Sequence, residues 1–250
     1  MKGKSILVAG CSGLLGCAVT KSLIEKGVHV IAADISPERF EKEFTELSDV
    51  SEGNVEFAKI DITNEESIIN LFDRIEVDGA INCTYPRNKE YGKHFFDVSL
   101  SSFNENLSLH LGSAFLFTQQ AARYFEKNKK PFSLVNVSSI YGVVAPKFEI
   151  YNNTPMTMPV EYAAIKSALI HLNKYVVSYI NDSRFRINSI SPGGIYDKQP
   201  EEFLLAYKKQ THGKGMLDVS DMLGTILFLL SDESKYITGQ NIIVDDGFSL

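Results

Sequence analysis

At 250 residues the chain can bury a substantial core yet is short for two domains of the usual size, so one domain is expected. Its composition, 44% hydrophobic and 22% charged, is that of a folded globular protein and leaves no segment that must stay disordered. A formal net charge of −6 gives no basic field to attract a phosphate backbone and argues against a nucleic-acid partner.

The N-terminus runs from Met1-Lys2-Gly3-Lys4 into an apolar stretch, Ser5–Ala9, that stops at Gly10. That run is too short for a signal-peptide core or a membrane span, so a cytoplasmic location and no membrane partner are expected. Cys11, Cys17 and Cys83 form an odd set without metal-ligand spacing, which predicts reduced thiols and no metal site.

Runs rich in β-branched residues recur at Ser5–Ala9, Val28–Ala33, Val55–Ile60, Gly79–Asn82, Ser133–Val137, Arg186–Ser191 and Asn241–Val244. Helical patterns fall between them, at Leu14–Lys26, Glu65–Ile75, Ser102–Asn128, Val160–Ile180, Pro200–Gln210 and Val219–Ser231. The alternation predicts βαβ units. Continuous apolar character in the first four runs predicts strands buried on both faces, hence a doubly wound parallel α/β sheet of about seven strands flanked by helices. Along Val160–Ile180 the stripe Ala164, Leu169, Leu172, Val176, Ile180 is expected to face inward. The stretch from Val143 to Pro159, rich in Pro, Asn and Thr, reads as a long functional loop.

The first strand leads into Gly10-Cys11-Ser12-Gly13-Leu14-Leu15-Gly16. Gly10 permits a tight turn, Gly13 lets backbone N–H groups approach a pyrophosphate at the helix end, and Gly16 allows close helix–sheet packing. The second strand ends at Asp34, followed by Ile35. A carboxylate there can accept both hydroxyls of an adenosine ribose and would repel a 2′-phosphate, which favours NAD; Arg39 keeps NADP open. Asp61 and Ile62 close the third strand, where Asp61 either faces the adenine or N-caps the next helix in a capping box with Thr63 and Glu66. Asn82 and Cys83 close the fourth, at the carboxyl edge where open α/β sheets bind ligands.

Tyr162 and Lys166 open the fourth helical pattern four residues apart, which puts phenol and ammonium on one face. A nearby ammonium favours phenolate and should lower the phenol pKa. Ser139, at the end of the preceding strand, can hydrogen-bond an oxygen whose charge changes during hydride transfer.

Taken together these residues resemble the short-chain dehydrogenase/reductase family over nearly the whole chain, and with it a single Rossmann-like domain over residues 1–250. Residues 1–100 would mainly bind the dinucleotide, and residues 101–250 would carry the catalytic residues and a substrate lid. The resemblance implies Tyr162 as general acid/base, Ser139 as anchor of the substrate oxygen, and Lys166 as pKa modulator and partner of the nicotinamide ribose. Pro192, Gly193 and Ile195 would line the nicotinamide, and Gly194 to about Met216 would form the lid. It also implies a homo-oligomer, dimer or tetramer, paired through the Ser102–Asn128 and Val160–Ile180 helices.

Four features depart from the family pattern. The glycine loop has the three-by-three spacing of a larger, nucleotide-sugar-modifying branch, and the fourth strand ends Asn-Cys-Thr-Tyr-Pro instead of Asn-Asn-Ala-Gly. The family's helix asparagine, which keeps a water on the lysine, aligns with His110. Asn106, four residues earlier, is expected on the same face in support; a plain core or surface histidine is the alternative. Ser139 and Tyr162 are 23 residues apart, a long gap whose polar loop points to a hydroxyl-rich ligand.

That loop resembles the bacterial flagellin-modification branch, associated with sialic-acid-like sugars. The expected activity is therefore NAD(P)-dependent interconversion of a secondary alcohol and a ketone on a sugar or sugar phosphate, with Lys147, Arg87 or Lys198 as anion anchors or simply solvated charges. Reduction of a 3-oxoacyl thioester is the alternative enzymatic reading. A non-catalytic dinucleotide-sensing regulator, and nucleotide-sugar epimerase or dehydratase chemistry, are further alternatives.

Overall fold

Successive side chains of a strand face opposite ways, and in the first two strands both sets are apolar. Ile6, Val8, Val30 and Ala32 belong to one buried cluster, and Leu7, Ala9, Ile31 and Ala33 to another. Only a sheet covered on both sides can bury such strands.

The computed structural model describes residues 1–44 and 54–250 and contains this sheet. Its seven parallel strands are β1 (Ser5–Ala9), β2 (His29–Asp34), β3 (Val55–Lys59), β4 (Gly79–Asn82), β5 (Phe132–Val137), β6 (Phe185–Pro192) and β7 (Asn241–Val244), in the order β3-β2-β1-β4-β5-β6-β7. Helices α1 (Leu14–Glu25), α2 (Pro37–Phe44) and α8 (Ser220–Leu230) pack on the Ile6/Val8 side. Helices α3 (Glu65–Arg74), α5 (Ser113–Asn128) and α6 (Val160–Ile180) cover the Leu7/Ala9 side.

The strand order reverses between β1 and β4, and in open parallel sheets that reversal leaves a crevice at the carboxyl ends. Here the chain leaves β1 through Gly10 at φ +79, a left-handed conformation suited to glycine. A Cβ at Gly10 would lie 3.0 Å from the carbonyl carbon of Cys83. The two turns that bound the crevice are therefore in contact.

The pattern of elements matches the expectation with four differences. Helix α2 was not anticipated, because its eight residues carry five charges and one buried side chain, Phe44. β3 is an edge strand with only Ala58 buried, so its apolar run alternates with exposed Glu56 and Lys59. The single helix expected over Ser102–Asn128 is α4 (Leu100–Asn106), a π-helical turn (Leu107–Gly112) and α5. On α6 the inward position is Ile165, while Ala164 is exposed.

A third apolar cluster lies outside the sheet. It joins Ile150 and Tyr151 of the long loop, Phe203 and Tyr207 of α7 (Glu201–Lys208), and Phe248 near the C-terminus. Phe248 is fully buried, stacks on Tyr207 at 4.5 Å between ring centroids, and its carbonyl accepts a 2.9 Å hydrogen bond from Lys147 Nζ. The C-terminal segment thus ties the long loop to α7. Phe248→Ala is expected to lower unfolding stability by about 3 kcal/mol, measured by urea denaturation at equilibrium.

Candidate active site

The nucleotide half of the crevice is built from backbone. α1 begins at Gly13 with no side-chain cap and no acidic residue in its first turn, so its first N–H groups and positive helix end are open to an anion. Asp34 is 7% exposed, and its Oδ2 accepts from Ser12 N at 3.0 Å while its Oδ1 accepts from Ile35 N at 2.8 Å. These bonds fix the carboxylate beside the glycine loop. Arg39 donates to the Ser12 carbonyl at 2.9 Å, so its guanidinium is held at the same edge. This donor and acceptor set fits the pyrophosphate and adenosine ribose of a dinucleotide.

At the end of β3 the cap differs from one of the two sequence readings. Asn64, not Asp61, caps α3 by accepting from Ser67 N at 2.9 Å. Asp61 instead accepts from the Thr63 backbone and hydroxyl at 2.9 and 2.7 Å. Ile62 is buried in the core, which leaves only its backbone for a ligand. Asn82 is 6% exposed and accepts from Thr84 N and Oγ1. Burial pushes the Cys11 and Cys83 thiols up to about 12, an environment that keeps them protonated and unreactive.

On the other side of the crevice a cavity of about 480 Å³ opens between the glycine loop and α7. Ser139, Tyr162, Lys166, Pro192, Gly193 and Ile195 line it, together with Leu14, Leu15 and Cys83. Their placement depends on a close crossing between the turn after β5 and α6. A Cβ at Gly142 would lie 2.6 Å from the Lys166 carbonyl carbon, and Ser138 Oγ donates to the Lys166 carbonyl at 2.8 Å. The turn that carries Ser139 is thereby clamped onto the helical turn that carries Lys166.

Lys166 is 3% exposed. Its Nζ donates to the Val137 carbonyl at 2.8 Å and lies 3.3 Å from His110 Nε2. Burial lowers its pKa to about 7. His110 is also buried; burial and the neighbouring ammonium push it down to about 2, so the imidazole is neutral. With Nε2 accepting from Lys166, the ring proton belongs on Nδ1, a buried atom with no hydrogen-bond partner among the described residues.

Asn106 does not join this pair. Its side chain bonds the Asn88 backbone at 3.0 Å, the Asn88 amide at 3.1 Å and Glu161 Oε1 at 3.3 Å. The π-helical turn that follows explains the difference: its wider winding breaks the four-residue register that would stack Asn106 under His110.

Tyr162 also differs from the sequence expectation. Burial raises its pKa and a hydrogen bond with Ser139 lowers it, burial being the larger cause. The Lys166 ammonium lies 5.4 Å from the centre of the Tyr162 ring, over the ring face and tied to Val137 and His110. The phenol is accordingly the resting form.

The polar contribution of the long loop to the cavity is smaller than expected. Glu149, Asn152 and Asn153 are exposed and Lys147 is bound to the Phe248 carbonyl, whereas Tyr151 and Thr157 line the wall together with Met156 and Met158. Two wall residues escaped the sequence reading. Tyr85 and Tyr91 share a hydroxyl–hydroxyl bond of 2.5 Å, and the Tyr85 ring stands edge-on to Tyr162 at 5.7 Å and to His110 at 5.0 Å. The visible signal was a bulky Tyr85 at the turn where the family carries glycine. Tyr207 is a further one; its hydroxyl accepts from Gly194 N at 2.5 Å.

Fold and site together define a dinucleotide-dependent oxidoreductase of the doubly wound α/β class. The family model described as enoyl-(acyl carrier protein) reductase matches residues 10–249, and the chain belongs to the short-chain dehydrogenase/reductase family. It is 38% identical, over the full length of both chains, to the post-translational flagellin modification protein A of Campylobacter coli. It is 26% identical to the 7alpha-hydroxysteroid dehydrogenase of Bacteroides fragilis, covering 100% of this chain and 95% of that one. A short-chain dehydrogenase from Leptospira borgpetersenii, solved with bound NAD+, superimposes with a TM-score of 0.85 at 31% identity, covering 100% of this chain and 94% of that one. The coenzyme is a nicotinamide dinucleotide. Among the described residues no helix is long and apolar enough to cross a membrane.

Proposed function

We propose that the protein interconverts a secondary alcohol and a ketone on a sugar or sugar phosphate used in flagellin modification, with NAD(H) as coenzyme. The observation that carries the oxidoreductase part is the convergence of Ser139, Tyr162 and Lys166 on one cavity beside the glycine loop. Two observations support the carbohydrate part: the full-length similarity to a flagellin modification protein, and a wall of tyrosines, whose rings can cover sugar C–H faces while their hydroxyls meet sugar hydroxyls.

In this reading the bound coenzyme supplies or accepts the hydride. Tyr162 passes its phenol proton to the carbonyl oxygen during reduction and takes it back during oxidation. Ser139 donates a hydrogen bond to the same oxygen as it gains charge. Lys166, anchored by Val137 and His110, keeps a third N–H donor for a ribose hydroxyl and stabilises the phenolate left after transfer. His110 positions Lys166 by accepting its hydrogen bond at Nε2 and, staying neutral with its one proton on Nδ1, relays no proton. The raised Tyr162 pKa keeps the phenol protonated at neutral pH, the form that donates during reduction. Phe115, Tyr175 and Tyr179, exposed on α5 and α6, support pairing of two copies through those helices.

Asp34 supports NAD over NADP, since its fixed carboxylate would face the 2′-phosphate. Asp34→Ser is expected to weaken NADH binding about tenfold and to raise the relative affinity for NADPH, measured by fluorescence titration of both coenzymes. The activity itself is tested by following NADH absorbance with a panel of ketosugars, sugar phosphates and 3-oxoacyl thioesters. Turnover of the thioesters alone would replace the carbohydrate reading with an acyl one.

A further inference from the structure

The loop after β4 is held more firmly than a surface loop needs to be. Asn88 is bonded by its backbone N–H and its side chain to Asn106, and by its amide to Ser102 Oγ at 3.1 Å and Glu105 Oε2 at 2.6 Å. Asn106 in turn is 1% exposed and bonds Glu161, which is fully buried on α6 immediately before Tyr162. A buried polar network therefore connects this loop to the helix that carries the candidate acid/base, and it fixes the residue that follows Arg87.

Arg87 is exposed. Its guanidinium stacks 4.9 Å from the Tyr85 ring centre and 6.0 Å from that of Tyr91, and both tyrosines line the cavity. Among the described residues it has no ion-pair partner within 4.0 Å. The other cations considered for this site are disposed differently. Lys147 is committed to the Phe248 carbonyl, Lys166 is buried beneath the tyrosines, and Lys198 is an exposed residue at φ +60 on the lid segment.

We infer that Arg87, held on the Tyr85–Tyr91 platform, is an anion subsite that receives a carboxylate or phosphate group of the substrate at the cavity mouth. This rests on the carbohydrate reading above and adds a charged substituent to it. A guanidinium fork matches either anion with two parallel hydrogen bonds, and contact with the Tyr85 ring and hydroxyl pre-orients the fork while its remaining N–H groups can meet a ligand. The loop network limits the loss of side-chain and backbone freedom on binding. Among the described residues Asp197 is the one carboxylate on the cavity wall, and it lies on the segment from Gly194 to Met216, away in sequence from the Arg87 loop.

The test uses the NADH complex of the full chain and of Arg87→Gln and Arg87→Lys, titrated calorimetrically at low salt with glucose, glucuronate and glucose 6-phosphate. Wild type is expected to bind at least one anionic sugar about tenfold more tightly than glucose. Whether glucuronate or glucose 6-phosphate carries that preference identifies the anion. Arg87→Gln should abolish the preference with glucose and NADH affinity unchanged, and Arg87→Lys should keep part of it. Equal affinity for all three sugars in wild type, or a preference that survives in Arg87→Gln, overturns the subsite and leaves the carbohydrate reading standing. Binding of none of the three by a complex that holds NADH overturns both.

Discussion

Tyr162→Phe is expected to lower kcat by about a thousandfold or more while leaving the dissociation constant of NADH within about twofold of wild type. The substitution removes one oxygen and keeps the ring. The edge-on contact with Tyr85 at 5.7 Å and the Lys166 contact over the ring face therefore persist, so a large fall in kcat would report the lost proton donor and not a rearranged cavity. The pH profile of wild type adds a sign. Below about 7 Lys166 is an ammonium, and it stabilises the phenolate that reduction leaves on Tyr162. As pH rises through that value the positive charge is lost, so ketone reduction should be flat on the acidic side and decline on the alkaline side. Stability moves the other way. The lysine pKa in the folded state lies below its ordinary value, the unfolded chain binds more protons between the two, and stability contributed by this group rises with pH across that interval. Stopped-flow NADH oxidation and denaturation at several pH values measure the two trends separately. A Tyr162→Phe enzyme within tenfold of wild-type kcat would remove the phenol from the mechanism.

Strands β1, β2 and β4 were legible because they are buried on both faces and therefore apolar along most of their length, and β3 by its Val55-x-Phe57-Ala58 run alone. Helix α6 was legible because its period is long and regular. What escaped notice follows a common cause: it depends on contacts between elements distant in sequence. Nothing local says that Lys147 will be taken by the Phe248 carbonyl, so its charge looked available to a substrate. The π-helical turn at Leu107–Gly112 has no marker in the residue pattern, and it shifts Asn106 out of register with His110. The residues of the candidate site were named from spacing and resemblance, and the structure brings Ser139, Tyr162 and Lys166 to one cavity. Their electrostatics were not readable. A four-residue interval places an ammonium near a phenol, but only the burial of both groups reveals that desolvation is the largest influence on each, raising Tyr162 against its hydrogen bond with Ser139 and lowering Lys166.

Gly16→Ala and Gly13→Ala are expected to separate the two functions of the glycine loop. A Cβ at Gly16 would lie 2.1 Å from the Gly10 carbonyl oxygen and 2.8 Å from its carbon, both backbone atoms of the turn that β1 enters. Neither can rotate aside as a side-chain end could, so α1 must shift away from the sheet. That displacement should lower unfolding stability by about 1–3 kcal/mol, the usual range for overpacking. It should also weaken NADH binding by about a hundredfold or more, because the N–H groups at the helix start leave their positions together. At Gly13 the nearest atom to an added Cβ is the same carbonyl oxygen, at 3.3 Å; a shift of a few tenths of an ångström suffices, and the backbone there is extended at φ −82 and ψ 167, open to any residue. Gly13→Ala should therefore change stability by less than about 1 kcal/mol. Its methyl group nevertheless stands at the N-cap of α1, where the coenzyme pyrophosphate must approach the backbone, so NADH affinity should still fall about tenfold or more. Thermal denaturation without coenzyme and fluorescence titration with it give the two quantities for each variant. Equal stability losses in the two variants would show that close packing of α1 on the turn is not what Gly16 provides.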